Sequence, residues 1–371
     1  MEPKIKVLVT GANGFIGKNL CAELLNRGYE VVKFGSKNTI DELREYTKNC
    51  DYVVHLAGAN RPTDIEDFMK INAGLTKTLL QCLKENNNNA PVLMSSSIQA
   101  ELDNDYGRSK KLAEDFVFED AMQRHSNNMV FRLPNIFGKW CKPNYNSVVA
   151  TFCNNIANDI DIVINDNEKE LILAYIDDVV EDFIDAINGK VDYDGKYAVI
   201  HNQYRRTLKQ IADLIYSFRQ TRDNYNFPKV DEIFGKKLYS TYLSYLPEDR
   251  FIYDLNMHVD DRGSFTEILK GTNGQVSVNV VKPNITKGNH WHHTKNEKFI
   301  VLGGEALISL RKINSEQVLQ YRVSGEHLQV VDIPVGYTHN IKNIGDKDVI
   351  FLIWANEIFD KEKPDTYYLT V

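Results

Sequence analysis

Three groups of residues in this sequence have the types and spacing that chemistry requires. The first lies near the C-terminus, where His290, His292 and Glu297 fall within eight residues and His339 follows a Pro-x-Gly corner. Neutral imidazole nitrogens and a carboxylate oxygen are ligands suited to zinc and other first-row divalent ions. We therefore predict that these four residues bind one divalent ion, zinc by preference, in a catalytic or a purely structural role. His293 is expected to point away from the ligand face.

The second group combines a tyrosine, a lysine and two serines in the first half of the chain. Tyr106 and Lys110 are four residues apart on a predicted helix, and Ser96 and Ser97 end the strand before it. Residues four apart share a helical face, so the ammonium is expected to favour the phenolate and lower the pKa of Tyr106. Such a tyrosine can protonate a ketone oxygen as hydride reaches the carbon, while a serine hydroxyl holds that oxygen. The spacing alone also occurs by chance on helices.

The third group is a glycine-rich turn near the N-terminus. Gly11, Gly14 and Gly17 follow a short β-branched segment, Lys4–Thr10, and open an apolar helical pattern over Phe15–Arg27. Between a strand and a helix, such glycines let the backbone approach a pyrophosphate at the helix N-terminus. The turn is therefore predicted to bind a dinucleotide.

The residues after the second predicted strand bear on which dinucleotide is bound. An NAD-binding turn usually carries a carboxylate there for the ribose hydroxyl, whereas this chain has Ser36 and Lys37. A hydroxyl and a cation suit a 2′-phosphate, so NADPH is favoured over NADH. The alternative is that Lys37 is an ordinary solvated loop residue.

The elements that must position these groups fall into two classes along the 371 residues, a length that favours two domains. Strand and helix patterns alternate over residues 1–246, which predicts a Rossmann-type doubly wound parallel sheet. After the polar break Pro247–Arg250 the apolar period becomes two. Short strands between residues 275 and 354 predict an all-β barrel or jelly roll over residues 247–371.

The first domain resembles the extended short-chain dehydrogenase/reductase family of nucleotide-sugar enzymes over residues 1–245. Besides the groups above, three segments match that family: Asp51–Gly58, Arg132–Gly138 and Tyr175–Val179. The resemblance implies that Tyr106 and Lys110 are catalytic and that Ser97 holds the substrate oxygen, with Ser96 as the fallback. It also implies a cofactor-binding set: Gly11, Gly14, Phe15, Ile16, Gly17, Ser36, Lys37, Leu56, Ala57 and Lys110.

Residues 139–247 lose the simple alternation and are expected to cover the substrate. Lys139–Asn146 mixes cations, amides and aromatic rings that suit a diphosphate and a nucleobase, or form an ordered structural loop. Arg205 and Arg206 are candidate phosphate contacts, with plain surface charge as the preferred interpretation.

The second domain is similar to cupins. Its His-x-His pair is followed after four residues by Glu297 and after six more by Gly304, and the Pro-x-Gly corner precedes His339. The segments His258–Glu267 and Lys287–His292 also resemble the deoxysugar 3,5-epimerase branch of cupins. In that branch, the histidine matching His290 is the base beside a 4-keto sugar. One imidazole nitrogen cannot both bind a metal and accept that proton, so the two roles remain alternatives.

Taken together, the halves resemble bifunctional enzymes of capsular polysaccharide precursor synthesis. The resemblance implies that the cupin epimerises C3 of a UDP-2-acetamido-2,6-dideoxy-4-keto-hexose and that the reductase domain reduces C4 with NADPH. The product would be UDP-2-acetamido-2,6-dideoxy-L-talose, a precursor of UDP-N-acetyl-L-fucosamine. Because the C4 ketone acidifies the C3 hydrogen, epimerisation must come first. The alternatives are a monofunctional 4-keto nucleotide-sugar reductase with a structural cupin used for dimerisation, and a non-catalytic NADPH-binding sensor.

Composition narrows the partners and the compartment. A net charge of -7 argues against a nucleic-acid partner, which requires a basic face. No apolar run approaches the roughly 20 residues of a membrane span, and residues 1–4 lead into a strand without a signal-peptide pattern. The five cysteines lack metal or disulfide spacing. We therefore expect a cytoplasmic protein that binds neither a membrane nor nucleic acid. The resemblance implies a UDP-linked 4-keto amino-deoxysugar as its substrate, and a homodimer is a further expectation.

Overall fold

The computed structural model describes residues 4–272 and 274–371. The chain divides into two compact units: residues up to Tyr216 together with Val230–Pro247, and Ser217–Lys229 together with Glu248–Val371. Ser217–Lys229 thus lies with the second unit, although it precedes the predicted boundary after residue 246. Within the described ranges, no helix combines the length and apolar character that crossing a bilayer requires.

The first unit alternates strands and helices. Its strands are β1 (Lys6–Thr10), β2 (Glu30–Phe34), β3 (Tyr52–His55), β4 (Val92–Ser97), β5 (Met129–Leu133), β6 (Asn135–Phe137), β7 (Glu170–Tyr175), β8 (Tyr193–Asp194), β9 (Tyr197–Ala198) and β10 (Gln203–Thr207). The helices are α1 (Phe15–Asn26), α2 (Ile40–Tyr46), α3 (Leu75–Glu85), α4 (Asp105–Arg124), α5 (Val148–Ala157), α6 (Ile176–Ile187), α7 (Leu208–Asn224), which continues into the second unit, and α8 (Ile233–Leu243).

A seven-stranded sheet in the order β2-β1-β3-β4-β5-β9-β8 forms the centre of this unit. Neighbours from β2 to β9 run parallel, and β8 is antiparallel to β9. Both faces are covered: Val7 and Val9 of β1 pack into one apolar core with α1 and α6, and Leu8 packs into another with α2 and α3. The predicted doubly wound sheet is confirmed. The strand order reverses at β1, and ligands of such sheets bind where the order reverses.

The helical pattern of the sequence over residues 65–85 is interrupted in the structure. A π-helical turn occupies Phe68–Gly74 before α3 begins. Within this wider turn, the Asn72 amide accepts from Ala59 N at 2.8 Å and donates to Ala59 O at 3.2 Å. The turn therefore joins the helix to the segment that follows β3, a tertiary contact that helical periodicity does not reveal.

The second unit consists mainly of strands. They are β11 (Met257–Asp260), β12 (Gly263–Gly271), β13 (Gly274–Val281), β14 (Thr286–Trp291), β15 (Glu297–Gly303), β16 (Glu305–Lys312), β17 (Val318–Ser324), β18 (Val330–Ile333), β19 (Tyr337–Asn343), β20 (Val349–Ala355) and β21 (Tyr367–Tyr368). They form one antiparallel sheet in the order β11-β12-β13-β20-β15-β18 and another in the order β17-β16-β19-β14-β21. Apolar residues of both sheets share one core, including Phe299, Ile308, Ile341 and Phe351. The expected all-β, cupin-like architecture is confirmed.

The apolar pattern did not indicate β19, although this strand lies centrally in its sheet. Its buried positions include Thr338, His339 and Asn343, which are polar. The period of two is present, but polar residues occupy the buried face. Because its buried residues are mostly polar, such a strand gives no alternation of apolar residues and is not predicted from that pattern.

Candidate active site and metal centre

A crevice of about 1020 Å³ in the first unit is bordered by the residues that follow β1 and β3 and by the carboxyl ends of β4 and β5. It brings together the glycine turn, the serine-ended strand and the start of α4. The lining residues include Gly11, Gly14, Phe15, Ile16, Gly17, Leu56, Ser96, Ser97, Tyr106 and Lys110. Most of the predicted cofactor-binding and catalytic residues therefore share one cavity.

The glycine turn is packed so closely that side chains are excluded. Gly11 has a φ of +68°, and a Cβ on it would lie 2.7 Å from Ala57 N. A Cβ on Gly17 would lie 2.2 Å from Gly11 O. The turn thus presents bare backbone ahead of α1, which begins at Phe15. That arrangement fits a dinucleotide pyrophosphate at a helix N-terminus.

Gly17→Ala is expected to weaken binding of the predicted dinucleotide, because the added methyl group must push the turn away from α1. Overpacking of this kind costs about 1–3 kcal/mol, and each 1.4 kcal/mol that falls on binding is about tenfold in Kd. The Kd is measured by NADPH fluorescence. Gly74→Ala is the matched control, since its Cβ would make an ordinary 3.6 Å contact with Met69 O. Equal NADPH affinity in Gly17→Ala and wild type would contradict the close-packing argument.

Ser36 and Lys37 lie outside the lining of this crevice. Both are exposed on the turn after β2. Gly35, just before them, is so close to the glycine turn that a Cβ on it would lie 2.6 Å from Asn13 Nδ2. The predicted 2′-phosphate contacts are therefore at the open edge of the dinucleotide turn, and the preference for NADPH stays a prediction.

The structure separates the roles of the two candidate serines. The Ser97 hydroxyl accepts from Gln99 N at 3.1 Å, lines the crevice with the Tyr106 phenol and opposes the rise of the Tyr106 pKa. The Ser96 hydroxyl instead donates to Glu114 Oε1 at 2.6 Å, and that fully buried carboxylate also accepts from Arg132 at 2.8 Å. Ser96, the alternative candidate for holding the substrate oxygen, is thus hydrogen-bonded to the carboxylate of the Glu114–Arg132 ion pair.

Lys110 does not act on Tyr106 in the predicted way. Burial raises the pKa of Tyr106, opposed by the hydrogen bond with Ser97. The Lys110 ammonium donates to Ser95 O at 3.1 Å, so it is held at the end of β4. The expected lowering of the Tyr106 pKa by Lys110 is therefore wrong for this arrangement. Tyr106 is protonated at neutral pH, which is the form a proton donor needs.

Reductase activity is expected to decline above pH 8. Burial lowers the pKa of Lys110 to about 8, a shift that Glu114 opposes. Lys110 is therefore charged below that pH and loses its proton as the pH rises through it. Without this charge beside the crevice, oxygen that becomes negative in the transition state is less well stabilised. The test is kcat/KM for NADPH oxidation between pH 6 and pH 10, and a flat profile to pH 10 would exclude this role.

A buried histidine that the sequence analysis did not single out links the strand ends. His55 Nδ1 lies 2.7 Å from Thr10 Oγ1, and His55 Nε2 lies 2.9 Å from Thr76 Oγ1. Because Thr76 Oγ1 donates to Asn72 O at 2.6 Å, it accepts from His55 Nε2, and Nδ1 accepts from Thr10. Burial and then the charge of Lys110 lower the pKa of His55 to about 3, so the ring is neutral.

Asn72 continues this network to α4, which carries Tyr106 and Lys110. Its Nδ2 donates to Ser109 Oγ at 2.9 Å, and Ser109 Oγ donates to Tyr106 O at 2.8 Å. The backbone of Tyr106 is thereby tied to the segment after β3. The available signal for Asn72 was a polar residue in line with the apolar Phe68 and Leu75 of a helical pattern.

Exchanging the two serines for alanine is expected to separate catalysis from stability. Ser97→Ala removes the hydroxyl beside Tyr106 and should lower kcat by about 10²-fold. Ser96→Ala removes a hydrogen bond to the buried Glu114, which should cost about 1.5–3 kcal/mol of unfolding free energy with little change in kcat. Steady-state kinetics and urea denaturation measure the two effects. The opposite pattern would return the catalytic role to Ser96.

The predicted substrate-covering segment also borders the crevice. Trp140, Cys141, Lys142, Tyr145 and Asn146 line it. Arg205 and Arg206 do not, because they pair with Glu170 at 3.1 Å and Glu232 at 2.7 Å on the surface. Of the two candidate groups for phosphate contacts, the Lys139–Asn146 loop borders the crevice, whereas Arg205 and Arg206 do not.

The four predicted metal ligands converge in the second unit. One ligand atom from each of His290, His292, Glu297 and His339 lies within 4.8 Å of the others, and His293 is outside the group. His290 and His339 are neighbours across β14 and β19. Glu297 begins β15 in the other sheet, and His292 follows β14. Residues from both sheets thus meet at one point.

The chemistry of these atoms fits a bound cation. Glu297 Oε2 is 3.4 Å from His292 Nε2 and 3.3 Å from His339 Nε2. Among the described residues, these three buried atoms have no hydrogen-bond partner. His292 Nδ1 donates to Asp365 O at 2.6 Å, so its proton is on Nδ1 and the Nε2 lone pair faces the carboxylate. Such facing lone pairs repel unless a cation lies among them.

A β-bulge aims His290 into this group. The register of β14 against β19 shifts between Gly288 and His290, where Gly288 has a φ of +103° and Asn289 a φ of +60°. Bulges commonly redirect a side chain beside a functional site. Burial, followed by the neighbouring His339, lowers the pKa of His290 to about 4, so its imidazole is neutral at pH 7.

A second cavity, of about 740 Å³, opens onto this centre. His290, Glu297 and His339 line one side, and Lys287 and Arg262 belong to the same lining. Lys287 donates to Ser264 O at 3.2 Å and to Val280 O at 2.9 Å. The candidate metal site is therefore accessible to a small molecule.

Comparison with known proteins identifies related families for both units. Residues 7–197 match the NAD dependent epimerase/dehydratase family. Residues 258–367 match the Polysaccharide biosynthesis C-terminal domain.

Full-length relatives have the same combination of units. UDP-2-acetamido-2,6-beta-L-arabino-hexul-4-ose reductase from Pseudomonas aeruginosa is 44% identical over 369 residues, which is 99% of each protein. The crystal structure of the capsular polysaccharide assembling protein CapF from Staphylococcus aureus is 48% identical, with a TM-score of 0.93 over 98% of this chain and 100% of that one. A structure of CapF with inhibitor 3-isopropenyl-tropolone is 44% identical, with a TM-score of 0.89 over 99% of this chain and 100% of that one.

Proposed function

Because this chain belongs to the NAD dependent epimerase/dehydratase family and ends in a polysaccharide biosynthesis C-terminal domain, we propose that it is a bifunctional enzyme of capsular polysaccharide precursor synthesis. The second unit epimerises C3 of a UDP-2-acetamido-2,6-dideoxy-4-keto-hexose. The first unit then reduces C4 to give UDP-2-acetamido-2,6-dideoxy-L-talose. The observation that carries this proposal is that each unit holds its own cavity with its own set of reactive side chains.

In the reductase unit, three side chains act on the C4 oxygen. NADPH, when bound in the crevice, would supply the hydride to the carbon. Tyr106 donates its phenolic proton to the oxygen, and the Ser97 hydroxyl holds that oxygen in place. Lys110, fixed at the end of β4, stabilises the negative charge that develops there.

In the cupin unit, His290, His292, Glu297 and His339 would hold a divalent ion, zinc by preference. An ion there would polarise the ketone as a Lewis acid. The C4 ketone makes the C3 hydrogen acidic, so a base in the cavity can remove it and a proton can return to the other face. The order is set by chemistry, because reduction removes the ketone that epimerisation needs.

The inhibitor crystallised with the related CapF belongs to a class of compound that chelates metal ions. Tropolone has two adjacent oxygens, a hydroxyl and a ketone, which together form a bidentate chelator of divalent cations. A compound of this class was crystallised with that relative. The proposed ligands and the cavity that opens onto them offer such a molecule a place to bind here.

The deciding experiment follows both half-reactions by product NMR. Incubation of the full chain with the keto sugar in deuterated water, without NADPH, should place deuterium at C3. Addition of NADPH should then consume the ketone and yield the L-talo sugar.

Reduction without any label at C3 would leave a monofunctional reductase with a structural cupin. Binding of NADPH without turnover of the keto sugar would instead identify a sensor. The first outcome would exclude the epimerase activity, and the second would exclude the reductase activity.

A further inference from the structure

Asp365, in the tail formed by residues 364–371, fixes the loop between two of the proposed ligands, His292 and Glu297. The Asp365 carboxylate accepts hydrogen bonds from the backbone N–H groups of His293 at 3.0 Å, Thr294 at 2.9 Å and Lys295 at 2.9 Å. It also accepts from Thr294 Oγ1 at 3.0 Å. These contacts span about 70 residues of sequence and fix the turn between His292 and Glu297.

The backbone of the same residue touches a ligand directly. Asp365 O accepts from His292 Nδ1 at 2.6 Å, and Asp365 adopts a left-handed φ of +35°. A carbonyl accepts but never donates, so this contact keeps the proton on Nδ1 and leaves Nε2 free for a cation. The side-chain contacts hold the main chain in the conformation that places this carbonyl.

Further contacts anchor the tail on both sides of Asp365. Lys295 Nζ donates to Pro364 O at 3.3 Å and to Thr366 Oγ1 at 3.0 Å. Beyond it, β21 pairs with β14, where Tyr368 is opposite His290. Leu369 N then donates to Asn289 O at 2.9 Å, within the bulge. The tail is therefore hydrogen-bonded both to the loop after His292 and to the bulge that precedes His290.

We propose that Asp365 is a positioning residue of the metal centre: its carboxylate fixes the 293–295 turn, and its carbonyl fixes the tautomer and orientation of His292. This inference rests on the proposed metal centre. It goes beyond the four ligands, because it makes metal affinity depend on the tail over residues 364–371. Outer contacts of this kind typically change metal affinity by about 10–100-fold.

The test uses the full chain and three variants. Asp365→Ala removes all four side-chain contacts, whereas Asp365→Asn keeps one acceptor oxygen for most of them. Asp360→Ala is the matched control, because the Asp360 carboxylate caps a turn just before this tail by accepting from Glu362 N at 2.8 Å. Each purified apo-protein is titrated with Co²⁺, followed by its visible absorption, and the unfolding temperature is recorded with EDTA.

The Co²⁺ Kd should rise by about 10–100-fold in Asp365→Ala, less in Asp365→Asn, and not in Asp360→Ala. An unchanged Kd with a lowered apo unfolding temperature would overturn the inference, since Asp365 would then be only a structural cap. If Asp365→Ala does not fold, the Kd of Asp365→Asn decides in the same way. Wild-type protein that binds neither Co²⁺ nor Zn²⁺ would overturn the metal centre itself, a result distinct from an effect confined to the variants.

Discussion

Tyr106→Phe is expected to lower the rate of C4 reduction by about 10²–10⁴-fold, the usual contribution of a positioned general acid. Phenylalanine keeps the ring that packs edge-on against Phe68, with centroids 5.7 Å apart, and removes the hydroxyl beside Ser97. The fold of α4 and the glycine turn should not change. We therefore expect NADPH to bind with its wild-type Kd while its oxidation by the keto sugar almost stops.

The control separates loss of the proton donor from loss of the enzyme. Tyr193→Phe removes an exposed hydroxyl from β8 of the same unit and should leave the rate unchanged. In deuterated water, Tyr106→Phe should still exchange the C3 hydrogen, because we assign that step to the other unit. Full reductase activity in Tyr106→Phe would exclude the mechanism proposed for the first unit.

The second large effect is expected from Glu297→Ala. Removing the carboxylate leaves the Nε2 atoms of His292 and His339 buried without their anionic neighbour, and the site loses its charged ligand. We expect the purified variant to lose its stoichiometric metal and its C3 exchange together. A ligand present at 1,000 times its Kd stabilises the folded state by about 4 kcal/mol. The unfolding temperature of the variant should therefore no longer rise when metal is added.

Elemental analysis and calorimetry with and without EDTA measure these changes. Glu305→Ala is the matched control, because Glu305 pairs with Arg322 on the surface of β16. The same experiment on His290→Ala addresses the residue with two alternative roles: a ligand loses metal with its imidazole, whereas a base loses C3 exchange and keeps metal. Unchanged metal content in Glu297→Ala would remove the ligand assignment.

The repeating patterns of the chain were sufficient for the fold class. Alternating strand and helix signals predicted the doubly wound sheet, and a period of two predicted the second, all-β unit, since both patterns reflect which side of each element is buried. Motifs of adjacent residues were similarly informative. Gly11–Gly17, Tyr106 with Lys110, and His290 with His292 are local spacings, and local geometry brings such residues together.

Contacts between segments that are distant in sequence could not be predicted from repeating patterns or local spacing. The choice between Ser96 and Ser97 depends on Glu114, which lies on another element and accepts from Ser96. The π-helical turn at Asn72 depends on Ala59, and the tautomer of His292 depends on Asp365. None of these partners is close in sequence, and none belongs to a repeating pattern.

The sequence by itself determined the class of each unit, the family resemblance and the residues able to donate a proton or bind a metal, because all of these follow from residue type and short-range spacing. Only the tertiary structure decided which hydroxyl faces Tyr106, why the Tyr106 pKa rises instead of falling, and which tail residue holds His292. Those outcomes depend on burial and on hydrogen bonds across the fold, and such contacts are created by packing alone.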